Sequence, residues 1–155
     1  MLFVCTGNIC RSPTAEGVFS ALVAARGLED RIEADSAGIG AWHVGAPPDP
    51  RSQQTAISRG IDLSGQRART VRADDFDRFD ILLAMDRGHY DSLTGAAPPD
   101  RAERVRLFLE YVPGLGVQDV PDPYYGAGDG FARVFDMIEA ASVGLLAEIE
   151  ARLPA

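Results

Sequence analysis

An apolar tripeptide, Leu2-Phe3-Val4, runs straight into Cys5-Thr6-Gly7-Asn8-Ile9-Cys10-Arg11-Ser12, and Pro13 then opens a stretch of helical periodicity. This succession of strand, glycine-containing loop and helix is the strongest constraint the chain places on its own fold. A cysteine, five residues, an arginine and a hydroxyl residue make a cradle for phosphate with a nucleophile at its floor. The intervening residues, Gly7 among them, can curl so that successive backbone N–H groups converge on one anion. The helix start adds unpaired amides and its dipole. Arg11 offers a planar, two-pronged donor to phosphate oxygens. The same positive field favours a thiolate at Cys5. Either residue alone reads as a buried strand-end cysteine or a nearby cation; the assembled string does not.

The remaining periodicity predicts strands at 2–4, 32–36, 81–84 and, more weakly, 105–107. The segment 81–84 is a continuous apolar run of the kind buried on both faces. Helices are predicted at 13–26, 50–59, 87–93 and 131–153, with a short helical turn at 73–79. In the first helix Ser12 is the candidate N-cap, Ala15, Val18, Phe19, Leu22 and Val23 form the apolar face, and Gly27 ends it. In the last helix Val134, Ile138, Val143, Leu145, Leu146 and Ile149 are the apolar positions. Gly38 to Pro50 and Gly114 to Gly130 read as long loops. Strands alternating with helices predict an α/β fold: one domain over residues 1–155, with a four-stranded parallel sheet, helices on both faces and the phosphate loop after strand 1. Ligands of such sheets sit beyond the carboxyl ends of the strands. Cys5 follows strand 1 directly, and the two long loops are natural walls for that place.

Composition narrows the partners. A formal charge of −8 argues against nucleic acid. Attraction for a phosphate dianion must therefore be local. No apolar run approaches the roughly 20 residues of a membrane helix, and no basic segment precedes an apolar one at the N-terminus. The expectations are no membrane partner and a cytoplasmic protein. Its two cysteines share one loop and cannot staple the fold. With both committed there and only His43 and His89 besides, no metal and no other cofactor is expected.

The string from Val4 to Pro13 resembles the signature of the low-molecular-weight protein tyrosine phosphatases. The resemblance continues through Asp35-Ser36-Ala37-Gly38, Gly45-Ala46-Pro47-Pro48-Asp49-Pro50, Ala84-Met85-Asp86 and Asp122-Pro123-Tyr124-Tyr125-Gly126, in order and over nearly the whole chain. It implies hydrolysis of protein tyrosine phosphate through a cysteinyl-phosphate. Cys5 would be the nucleophile. Arg11 and the loop Thr6, Gly7, Asn8, Ile9, Cys10 would bind the equatorial oxygens. Ser12 could hydrogen-bond the Cys5 sulfur and ease its departure. An Asp between two prolines is by itself a turn residue. The resemblance makes Asp122 the general acid that a leaving phenol of pKa near 10 calls for. Asp119 is the competing carboxylate without that context.

The resemblance further implies that Asn8 and Ser36 share a network supporting the loop, that Asp86 braces it, and that Trp42 and Tyr124 wall a deep cleft for a flat aromatic ring. Many members carry a His where this chain has Gln66, which cannot be charged. Cys10, close to Cys5 across the curl, could trap an oxidised Cys5 as a disulfide. His43 and His89 read as surface or loop residues. The expected partner is a phosphotyrosine-containing protein, and the expected state a monomer or weak self-associate. Three rivals remain: a protein arginine phosphatase of the same fold, which tends to carry Thr at the place of Ile9; an arsenate reductase, whose cysteine relay is missing after Cys10; and a phosphate-binding module without turnover.

Overall fold

The computed structural model describes residues 1–126 and 129–154. Part of the predicted loop 114–130, Ala127 and Gly128, lies outside the described residues. The chain runs β1 (Leu2–Cys5), α1 (Arg11–Ala25), β2 (Asp35–Gly38), α2 (Pro50–Ser58), α3 (Asp75–Arg78), β3 (Leu82–Ala84), α4 (Arg87–Ala96), β4 (Val105–Leu107) and α5 (Gly130–Arg152). Short 3₁₀ turns occupy Ala102–Arg104, Phe108–Tyr111 and Pro123–Tyr125, the last of them inside the predicted loop. The four strands form one parallel sheet in the order β2-β1-β3-β4. β1 is therefore central, and the loop that follows it opens at the carboxyl edge.

Strand side chains alternate between two cores, as the two-residue period requires. Phe3, Cys5 and Leu83 point to the face covered by α1, α2 and α5, where they meet Phe19, Ala56, Phe135, Ile138 and Leu145. Leu2, Val4, Leu82 and Ala84 point to the opposite face, against Phe76, Phe79 and Leu93 of the α3 and α4 layer. Burial on both faces explains why β1 and β3 are apolar throughout. Phe3 packs edge-on between Phe19 (5.5 Å between centroids) and Phe108 (5.2 Å), anchoring the strand that carries Cys5.

Several expectations shift. The second strand is Asp35–Gly38, not 32–36. Its register, Leu2↔Asp35 to Cys5↔Gly38, is set by β1, while Ile32 closes a turn through its N–H to the Leu28 carbonyl. Asp-Ser-Ala-Gly carries no apolar signal, so pairing alone makes it a strand. α1 starts at Arg11 rather than Pro13, and its cap position is Cys10. Ser12 is thus inside the first turn, fully buried, and is not the N-cap. Pro13 is tolerated there because first-turn N–H groups have no intrahelical partner. Val143 is 54% exposed and faces outward from α5, while Ser142 and Leu145 on the same helix are buried. β3 begins one residue later than expected, and α4 runs three residues further, to Ala96. Gly27, at φ +67°, ends α1 as expected.

Candidate active site

Cys5 ends β1 and opens the cradle. The chain turns through Asn8, whose φ of 59° is left-handed, a conformation that Asn tolerates better than most residues. Its side chain fixes that turn. Nδ2 donates to Ser12 Oγ (2.8 Å) and Ser36 Oγ (3.0 Å), and Oδ1 accepts from the Arg69 backbone N–H (3.0 Å). Ser36 donates onward to Glu16 Oε1 (2.7 Å), whose pKa is raised by burial. β2 can lie this close because Gly38 has no side chain: a Cβ there would sit 3.0 Å from the Gly7 carbonyl carbon and Thr6 oxygen. Among the described residues, the backbone N–H groups of Gly7, Asn8, Ile9 and Cys10 donate to no protein acceptor. Consecutive amides left without partners are what an anion cradle requires.

Arg11 leaves the first turn of α1 with its side chain almost fully buried. Of its five N–H groups, the two on Nη1 go to Asp86 Oδ2 (2.9 Å) and the Val120 carbonyl (3.0 Å). Nη2 donates to Thr6 Oγ1 (3.2 Å) and stands 3.5 Å from Asp122 Oδ2. Nε has no protein acceptor among the described residues. The guanidinium is locked from one side, leaving its Nε and Nη2 edge for an incoming phosphate.

Asp86 caps α4 through its Oδ1, which accepts from the His89 backbone N–H (2.9 Å). Burial opposes its ionisation, but the His89 N–H, the His89 ring and Arg11 outweigh that and hold the carboxyl below the usual range. The expectation of a surface or loop position for His89 does not hold. The structure corrects this: His89 is 5% exposed, with Nε2 2.8 Å from Thr6 Oγ1. Nδ1 lies 3.1 Å from Asp86 Oδ1 and makes no hydrogen bond among the described residues. Burial first, then Arg11, pushes the His89 pKa down to about 4. The ring is neutral near pH 7 and adds no charge to the cradle.

The Cys5 sulfur is 3.0 Å from Ser12 Oγ, which also lies 3.4 Å from the Ala37 carbonyl oxygen. Ser12 stands beside the Cys5 sulfur and Asn8 holds the loop through Ser12 and Ser36. Neither side chain lines the cleft; both act from behind it. The cleft itself, about 390 Å³, is lined by Cys5, Thr6, Gly7, Ile9, Cys10, Arg11, Trp42, His43, Asp122, Tyr124 and Tyr125. Trp42, 76% exposed, stands on the 39–49 loop, and Tyr124 on the opposite 3₁₀ turn. His43 (6.2 Å from the Tyr124 ring) and Tyr125 were not predicted as lining residues; their adjacency to Trp42 and Tyr124 in sequence was the available signal.

Asp122 faces the cleft with Oδ1 accepting from the Tyr124 backbone N–H (3.0 Å), which leaves Oδ2 toward Arg11. Asp119 is turned away: its Oδ1 accepts from the Arg87 backbone N–H (2.9 Å) at the start of α4. Cys10 is buried, and its thiol is pushed up to about 12 by that burial and then by Asp49. Gln66 does not reach the Asn8 network. Its Nε2 donates to the Pro13 carbonyl (2.9 Å), and its buried Oε1 has no partner among the described residues. Among the described residues, no three His, Cys, Asp or Glu side chains group as metal ligands, and no helix is long and apolar enough to cross a membrane.

Comparison with known proteins adds independent findings. The low molecular weight phosphotyrosine protein phosphatase family model matches residues 1–155. A low molecular weight protein-tyrosine-phosphatase of Streptomyces coelicolor is 49% identical over 150 residues, covering 95% of this chain and 91% of that one. The crystal structure of YfkJ from Bacillus subtilis superposes with a TM-score of 0.94 at 43% identity, over 99% of this chain and 95% of that one. A Drosophila arginine phosphatase superposes with a TM-score of 0.88 at 31% identity, over 95% and 96% of the two chains.

Proposed function

This chain belongs to the low molecular weight phosphotyrosine protein phosphatase family, and we propose that its Cys5, Arg11 and Asp122 carry the hydrolysis of tyrosine phosphate on protein substrates. The protein is a phosphoric monoester hydrolase of the protein-tyrosine-phosphatase class. The observation that supports the assignment of residues is the convergence on Cys5 of unpaired cradle amides, the free edge of Arg11 and the Asp122 carboxyl in one cleft.

In the first step the Cys5 thiolate attacks phosphorus. The P–O bond to the phenol breaks, and the departing oxygen takes the proton from Asp122. Charge gathered on the three equatorial oxygens meets the Arg11 Nε and Nη2 edge and the amides of residues 7–10. In the second step water attacks the cysteinyl-phosphate and gives a proton to the Asp122 carboxylate. The P–S bond breaks, inorganic phosphate leaves, and the sulfur departs as thiolate with Ser12 Oγ beside it to donate a hydrogen bond. Trp42 and Tyr124 offer aromatic faces to the phenyl ring, and cleft depth selects phosphotyrosine over the shorter phosphoserine. We place the protein in the cytoplasm.

The Drosophila neighbour keeps phosphoarginine as the second reading. Ile9 lining the cleft and the paired Tyr124-Tyr125 favour phosphotyrosine. Phosphate release from matched phosphotyrosine and phosphoarginine peptides, with reductant and without added metal, tests the choice. Faster release from phosphotyrosine is expected. Preference for phosphoarginine would replace the substrate assignment but keep the Cys5 chemistry, and release from neither would favour a binding module.

A further inference from the structure

We propose that Arg51, outside the phosphate cradle, is a positioning residue that holds the Asp122 carboxyl over the leaving oxygen. The inference rests on the reading of Asp122 as general acid. The segment bearing Asp122 must be held at both ends if its carboxyl is to be aimed. Upstream, Val120 is fully buried: its N–H donates to the Met85 carbonyl (2.8 Å) at the end of β3, and its carbonyl accepts from Arg11. Downstream, the hold is Arg51. Its Nη2 donates to the Tyr124 carbonyl (3.3 Å), and its guanidinium lies 5.5 Å from the centroid of the Tyr124 ring and 4.7 Å from that of Phe131. The Tyr124 N–H is the group that fixes Asp122 Oδ1.

Arg51 is itself held. Asp49 accepts its Nε (3.0 Å) and Nη2 (2.9 Å) in a fork, and accepts its backbone N–H as cap of α2. Asp49 is tied to the cradle by its own N–H to the Ile9 carbonyl (2.8 Å). A continuous chain of contacts thus runs from cradle through Asp49, Arg51 and Tyr124 to the acid. The fork matters. Two donors on Asp49 fix the guanidinium plane, and that plane then stacks on one aromatic ring while the same Nη2 reaches the Tyr124 carbonyl. A lysine ammonium carries the charge without the plane.

The chemistry of the acid supplies the test. A strongly acidic phenol leaves without a proton, whereas a tyrosine-like phenol of pKa about 10 needs one. The value of kcat/KM covers only the steps up to phenol departure, so slow hydrolysis of the cysteinyl-phosphate does not mask the effect. It is measured for wild type, R51A, R51K and D122N on two aryl phosphates at those extremes. D122N is expected to lose on the order of 100-fold on the tyrosine-like substrate and little on the acidic one. R51A and R51K are expected to lose about 10-fold on the first, a part of that contribution, with little change on the second. Inhibition by inorganic phosphate should be unaltered. R51K serves if R51A folds poorly. Equal losses on both substrates, or no loss on either, beside a selective D122N overturn the inference alone. A D122N response that does not depend on the phenol overturns the general-acid reading beneath it.

Discussion

His89 makes the stability of this protein depend on pH in a window where few other groups titrate. Its ring is buried against Thr6 and near Arg11, and its pKa falls from 6.5 to about 4. The unfolded chain therefore takes up the proton first as pH drops. The stabilisation from keeping this ring neutral is complete above about pH 6.5 and is lost progressively toward pH 4. At roughly 1.4 kcal/mol per pH unit, the ceiling on the loss is about 3 kcal/mol, and about 2 kcal/mol of it falls between pH 7 and pH 5. The half-buried N-terminal amine, lowered to about 6 by desolvation, loses stability in the same direction. A comparison with His89→Gln, which cannot titrate, cancels that contribution. The assay is urea unfolding of both proteins at pH 7 and pH 5. The free-energy difference between them should move by about 2 kcal/mol, which at a slope of roughly 2 kcal/mol per molar shifts the relative midpoints by about 1 M. A difference that stays constant with pH would refute the claim that burial holds this imidazole neutral.

Three further outcomes test other parts of the site. Cys5→Ser should abolish turnover yet retain inorganic phosphate binding by calorimetry, because the amides of residues 7–10 and Arg11 remain; loss of both would mean the cradle depends on the sulfur for its shape. Asn8→Ala should destabilise by about 2–4 kcal/mol, from orphaned buried partners and a left-handed φ. Asn8→Gly should recover about 1 kcal/mol of it, and identical values for the two would show that the left-handed turn is unstrained in Ala. Peroxide treatment should give a Cys5–Cys10 disulfide by mass spectrometry. It should form slowly at neutral pH, because the Cys10 thiol at about 12 provides little thiolate to attack oxidised Cys5; sulfinate at Cys5 with no bridge would exclude Cys10 as the resolving thiol.

What the chain declares about itself locally is the cradle. Cys5, Gly7, Asn8, Arg11 and Ser12 are contiguous, so the chemistry of a strand-to-helix phosphate loop is legible from their order. The apolar runs of β1 and β3 are legible for a related reason: central strands buried on both faces are apolar throughout, and these are. The final helix was readable from its period, apart from Val143, because one outward apolar residue does not alter a repeat. The order of the four strands, the polar strand β2 and the true start of α1 were not readable, since each depends on pairing or on a bond made far away. Ser12 looks like a cap until Asn8, Ala37 and the Cys5 sulfur surround it.

Contacts across the chain decided the rest. Arg11 meets Asp86 across 75 residues and Val120 across 109, and Thr6 meets His89 across 83. These partners stand together because β1 lies beside β3, which brings the ends of both strands and the segment after β4 to one edge. No residue spacing encodes that adjacency. The sequence determined which atoms could do chemistry on a phosphate; the fold decided which way Arg11 points, that His89 is buried and neutral near pH 7, and that Asp122 lines the cleft while Asp119 turns to the Arg87 backbone N–H. Reactivity resides in residue type and short spacing, whereas orientation and local dielectric come from groups that only the closed fold brings within a few ångströms.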